Sequence, residues 1–185
     1  LEELINDLPE LKIVAEHVST EAMVELLKQA PENVAATITV HHALLTSKDV
    51  LSEDGKITNP HHFCKPIAKS EDDRKAIANA MVSGNPKFFF GSDSAPHPIS
   101  KKRSENPPAG IFTAPVALPL LCKIFEEHGF LNRLESFVSV FGARFYGLEL
   151  NQGKITLKRN DWIVPDQYEN VKLFKGGKRL RWHVA

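Results

Sequence analysis

Val34-Ala35-Ala36-Thr37-Ile38-Thr39-Val40-His41-His42 has the composition of a buried strand that ends on a pair of histidines. Its first seven residues are rich in β-branched types, which favour extended backbone, and two imidazoles close the run. Upstream, Lys12-Ile13-Val14-Ala15 is another short apolar run and leads into Glu16-His17-Val18. Downstream, Lys87-Phe88-Phe89-Phe90-Gly91 leads into Ser92-Asp93. Helical patterns separate the three. Thr20 predicts an N-cap for a helix with an inward face of Met23, Leu26, Leu27 and Ala30. Ser70 predicts the cap of a second helix over Glu71 to Val82, which Gly84 closes. Strands that alternate with helices make a parallel sheet covered by helices.

Working outward, Leu1 to Leu8 has helical spacing and stops at Pro9, and Phe63 to Ile67 reads as a fourth strand. Two further helical patterns occupy Ala114 to Glu127 and Leu134 to Phe145. The final residues read as short strands joined by turns, Gly176-Gly177 among them. Four βα units amount to half of an eight-stranded barrel, since full barrels run to about 250 residues. The expected division is therefore a half-barrel over 1–150 and a β-rich extension over 151–185. An open doubly wound sheet is the competing topology, but no Gly-rich phosphate loop follows any strand.

Composition excludes several classes. Formal net charge is zero, so no overall field attracts nucleic acid or an anionic membrane. The longest apolar runs, such as Phe88-Phe89-Phe90, fall far short of a membrane span. Two cysteines, Cys64 and Cys122, are too few for a disulfide framework and fit a reducing, cytoplasmic setting. Both are expected to be small core residues.

The candidate chemistry sits at strand ends. His17, the His41-His42 pair and Asp93 each follow a strand, and His97 lies four residues beyond Asp93. C-terminal strand ends of a parallel barrel converge on one face, where active sites lie. Neutral imidazole and carboxylate are ligands that zinc accepts while keeping a position open for water. Strand alternation allows only one of His41 and His42 to face inward. His61 and His62 are expected to line the pocket, and His128 to favour a helix C-terminus. Lys101-Lys102-Arg103 is a short basic run in a loop, read as solvated.

Several stretches resemble successive motifs of dihydroorotases. They are Ala15-Glu16-His17-Val18-Ser19-Thr20, Ala36 to His42, Asn59-Pro60-His61-His62-Phe63-Cys64-Lys65-Pro66 and Phe90-Gly91-Ser92-Asp93-Ser94-Ala95-Pro96-His97. Pro108 to Pro115 and Phe141 to Leu148 fit the same family. The resemblance implies an α/β fold: the C-terminal half of a (β/α)8 TIM-type barrel of the metal-dependent amidohydrolase kind (strands 5–8), with a short C-terminal β-rich extension. It implies interconversion of N-carbamoyl-L-aspartate and L-dihydroorotate in pyrimidine biosynthesis, with two Zn2+ ions per complete site. His17 and His42 correspond to ligands of the more exposed zinc. Asp93 corresponds to a ligand of the buried zinc that also serves as general base and acid. His97 corresponds to a contact for the substrate carboxylate, and Ala109 and Lys65 to main-chain contacts.

The family's His-x-His pair and its carboxylated bridging lysine have no counterpart in these residues. The chain is therefore expected to need the N-terminal half of the barrel as a partner, within a homodimer. Hydantoinase-like activity on another cyclic amide, or a non-catalytic half-barrel that binds a partner, are the rival readings.

Overall fold

The computed structural model describes all 185 residues. Helix α1 (Glu2–Asp7) precedes strand β1 (Ile13–Ala15), and helix α2 (Glu21–Gln29) carries the chain to β2 (Val34–Ile38). The Thr20 hydroxyl caps α2 by accepting from the Met23 N–H at 3.2 Å. Val24 and Leu27 are fully buried, with Met23, Leu26 and Ala30 half-buried around them. Helix α3 (Glu71–Val82) then leads to β3 (Phe88–Phe90). At its start Ser70 and Asp73 exchange side-chain and backbone hydrogen bonds, a capping box that satisfies two otherwise orphaned donors. The three strands are parallel in the order β1-β2-β3, with Ile13 opposite Val34 and Ala36 opposite Phe88. As the middle strand, β2 buries Val34, Ala35, Ala36 and Ile38 completely, as a strand covered on both faces must.

The parallel sheet has three strands, not the expected four. Phe63 to Ile67 is a loop whose polar groups are engaged elsewhere. The Phe63 carbonyl accepts from Gly110 N–H and from Lys102, and the Pro66 carbonyl accepts from His42 and Cys64. Proline also brings no N–H to a ladder. β2 and β3 pair directly, so no strand is needed between them.

After β3 come the short helix α4 (Ile99–Lys102), α5 (Ala117–Glu127) and α6 (Phe141–Tyr146). The expected helix over Leu134 to Phe145 is present as one continuous helical stretch, with a π-helical segment at Ser136–Val140 running into α6. Phe137 in that segment is buried against Phe90 and Phe125, with ring centroids at 6.3 and 5.5 Å. The remaining strands are β4 (Leu157–Ile163), β5 (Gln167–Tyr168), β6 (Val171–Lys172) and β7 (Arg179–Val184). β4 pairs with β7 and β5 with β6, both antiparallel. Val164, Leu173, Phe174, Leu180 and Trp182 join the same buried cluster as the parallel sheet, so the extension shares its core. No helix is long and apolar enough to cross a membrane.

Candidate active site

His17 and Asp93 each stand just past a strand end, β1 and β3, and both have left-handed backbone, with φ of 45° and 39°. Such a conformation costs a non-glycine residue about 1 kcal/mol or more and persists only where the surroundings enforce it. For His17 the enforcement is visible. Its N–H donates to Thr37 Oγ1 at 2.7 Å, and the next N–H, of Val18, donates to the Thr37 carbonyl at 3.1 Å. Gly91 lets β3 come close enough to complete this junction, because a Cβ there would lie 2.5 Å from Thr37 Cβ. Asp93 is followed by Ser94, whose Oγ accepts from the Thr113 and Ala114 N–H groups and ties the loop to the next segment.

His41 and His42 lie beyond the end of β2, in a turn, so strand alternation does not separate them. Both are fully buried, and their rings tilt against each other with centroids 4.6 Å apart. Their hydrogen bonding differs. His42 Nδ1 accepts from the Thr39 hydroxyl at 2.8 Å, and His42 Nε2 donates to the Pro66 carbonyl at 2.9 Å. Neither ring nitrogen of His41 has a hydrogen-bond partner, and His41 Nε2 lies 3.9 Å from Asp93 Oδ2. Burial, then the neighbouring His42 and His17, push the His41 pKa well below the ordinary imidazole value. His42 is also lowered, chiefly by burial. Both rings are neutral at pH 7, the form in which imidazole ligates metal.

His17 Nδ1 is likewise buried without a partner. Unsatisfied buried nitrogens cost about 1–3 kcal/mol each, so a cluster of them calls for a ligand. These orphaned imidazoles, with a half-exposed carboxylate beside them, fit a metal such as zinc. His41, His42 and Cys64 also bring donor atoms within 4.8 Å of one another. The Cys64 thiol, however, donates to the Pro66 carbonyl at 3.3 Å, and burial raises its pKa to about 11, which disfavours the thiolate.

The other expected contacts form a second group. His97 Nε2 donates to the Ala109 carbonyl at 3.0 Å. Nδ1 is therefore the nitrogen left over, and it can donate to a carboxylate only as the imidazolium. Lys65 is exposed, next to the Pro66 carbonyl that holds His42 and Cys64. His62 lines a separate depression with Lys175 and Lys178, whereas His61 borders both that depression and the cleft of His97, Lys102 and Gly110. Sequence reading missed Thr37, whose hydroxyl positions His17, and Lys102, which is buried and not solvated. Neither residue type nor spacing marks them.

A parallel sheet carrying imidazole and carboxylate at its strand ends places the chain in the amidohydrolase fold class. An L-hydantoinase from Arthrobacter aurescens shares that fold, with a TM-score of 0.76 at 19% identity. The chain belongs, more narrowly, to the dihydroorotase family. It is 45% identical over its whole length to the dihydroorotase of Teredinibacter turnerae, of which it covers 54%. It superimposes along its whole length on dihydroorotase structures from Campylobacter jejuni (TM-score 0.88, 41% identity) and Saccharomyces cerevisiae, the latter in complex with 5-fluoroorotic acid (0.87, 36%). Each is covered to 54%, so the chain spans about half the length of the relatives it matches. No family model matches it.

Proposed function

We propose that these residues form part of the site of a zinc-dependent dihydroorotase, which opens the cyclic amide of L-dihydroorotate to N-carbamoyl-L-aspartate and closes it in reverse. The carrying observation is the pair His17 and Asp93, held in left-handed backbone at two strand ends around orphaned imidazole nitrogens. His17 and Asp93 would hold metal, with His41 turned toward them. His42, which the resemblance makes a ligand, is reassigned as a buried brace, because both its ring nitrogens are taken. When bound, zinc supplies hydroxide near neutral pH and polarises the amide carbonyl. Asp93 takes the proton released on attack at its carboxylate and returns it to the leaving ring nitrogen. His97 turns its free Nδ1 edge toward the substrate carboxylate, with Nε2 held by the Ala109 carbonyl. The backbones of Ala109 and Lys65 align the ring.

Two zinc ions bridged by a carboxylated lysine, a second copy of the chain, the complementary half of the barrel and a cytoplasmic location complete the proposal. The test uses the full-length protein that contains these residues, loaded with zinc and offered dihydroorotate and unsubstituted hydantoin. Preference for dihydroorotate by at least about a hundredfold in kcat/KM is expected from carboxylate recognition, worth about 3 kcal/mol. Equal turnover of both refutes the assignment.

A further inference from the structure

Lys102 is 3% exposed and has no acidic partner. Its Nζ donates to three backbone carbonyls: Phe63 at 3.1 Å, Pro108 at 2.9 Å and Gly110 at 2.7 Å. Burying an ammonium group among neutral partners is costly, and it is tolerated here because three backbone carbonyls that would otherwise lack a donor converge on it. The bonded segments are telling. Pro108, Ala109 and Gly110 turn all three carbonyls toward Lys102 and His97, with His97 taking the middle one. The Ala109 N–H has no partner within the protein, so the segment keeps a donor free. Gly110 N–H donates to the Phe63 carbonyl at 2.9 Å, and Gly110 has φ 144°. A Cβ there would meet the Ala95 carbonyl at 2.7 Å and His97 Cδ2 at 2.9 Å. Two residues beyond Phe63 stands Lys65.

We propose that Lys102 is a positioning residue, clamping the 108–110 segment to the Phe63–Lys65 loop so that His97, Ala109 and Lys65 meet the substrate as one preformed surface. This rests on the dihydroorotase reading above. Removing the clamp loosens substrate contacts and leaves Asp93 and His17 in place, so it raises KM far more than it lowers kcat.

Protonation gives an independent handle. Burial pushes Lys102 down to about 8, with the Cys64 thiol acting weakly the other way. The groups around it are Cys64 and the Phe63 ring from one loop, His61 and His97, and Lys172 from β6; none is a carboxylate. An ammonium has three hydrogens for three carbonyls, and the amine has two. One carbonyl therefore loses its donor as pH rises through about 8. The folded pKa lies below the ordinary 10.5, so between these values the folded state binds fewer protons than the unfolded one. Stability from this group then rises with pH, and weaker substrate binding in that window is not unfolding.

The test compares wild type, Lys102→Met and Lys102→Arg in the zinc-loaded full-length protein. The readouts are KM and kcat for dihydroorotate from pH 6.5 to 9.5, with hydrogen exchange at the Gly110 amide referred to that of Ala36. Lys102→Met should raise KM about ten- to a hundredfold, as loss of charged hydrogen bonds implies. Gly110 should lose protection, and its protection should no longer respond to pH near 8. Lys102→Arg should recover part of both effects. If Lys102→Met does not fold, loss of Gly110 protection in the wild type above pH 8, relative to Ala36, carries the test. Unchanged Gly110 protection overturns the clamp. Lost protection with normal KM overturns its role in positioning. Failure of wild type to act on dihydroorotate refutes the functional reading instead, and exchange at Gly110 still decides whether the clamp exists.

Discussion

Gly91→Ala probes the junction that holds His17. The new Cβ would lie 2.5 Å from Thr37 Cβ and 2.9 Å from both Thr37 Cγ2 and Oγ1. The first of these atoms belongs to no flexible end. It is fixed to β2, which is hydrogen-bonded on both sides. Relief requires β3 to move away from β2, and overpacking of this kind costs about 1–3 kcal/mol. Replacing glycine restricts the unfolded chain and returns about 0.4–1 kcal/mol. With the steric cost at the upper end, the net destabilisation is about 2 kcal/mol. Urea titration of the full-length protein should show a lower midpoint at unchanged slope. Displacing Thr37 also disturbs the acceptor of the His17 N–H, so zinc content should fall. Gly153→Ala, where a Cβ meets nothing within 4 Å, is the control and should be neutral or slightly stabilising. A Gly91→Ala protein as stable as wild type, with full zinc, refutes the argument that this close approach sets His17.

Asp93→Asn keeps shape but not proton affinity, and should lower turnover by about two orders of magnitude or more; near-normal turnover in both directions, with zinc present, removes Asp93 from the mechanism. His41→Ala should reduce zinc content, whereas His42→Ala should retain zinc and lose about 2–4 kcal/mol of stability by stranding Thr39 and the Pro66 carbonyl in a cavity. The reverse pattern restores His42 as the ligand. Burial raises both Cys64 and Cys122 to about 11, so neither should be alkylated by iodoacetamide at pH 8 until the protein is unfolded. Rapid labelling of the native protein contradicts their burial.

The three true strands were legible because each is a β-branched or aromatic run bounded by turn chemistry and followed by a helix pattern. His17 and Asp93 were legible for the same reason, since a strand end fixes where a side chain emerges. Phe63 to Ile67 was misread because a short apolar run does not reveal where its carbonyls go, and here they go to Lys102, Gly110, His42 and Cys64. The separation of His41 from His42 by strand alternation failed because β2 ends at Ile38, before either residue. Lys102 sits in a Lys-Lys-Arg run that looks solvated. Only the fold shows that it turns inward while Lys101 and Arg103 stay exposed. The positive φ of His17 was not legible, because it is enforced by Thr37, a partner twenty residues away in sequence.

The most direct test of the central claim counts ligands. His17 and Asp93 are two, and His41 at most a third, whereas a catalytic zinc normally takes three protein ligands and this chemistry calls for two ions. Dihydroorotate hydrolysis should be followed, with zinc and bicarbonate present, for the 185-residue chain alone and after addition of the complementary half of the barrel from a full-length relative. The account predicts no turnover alone and recovery on addition, abolished when the chain carries Asp93→Asn. Turnover by the chain alone at the rate of a complete enzyme, from material whose mass matches these residues only, contradicts it.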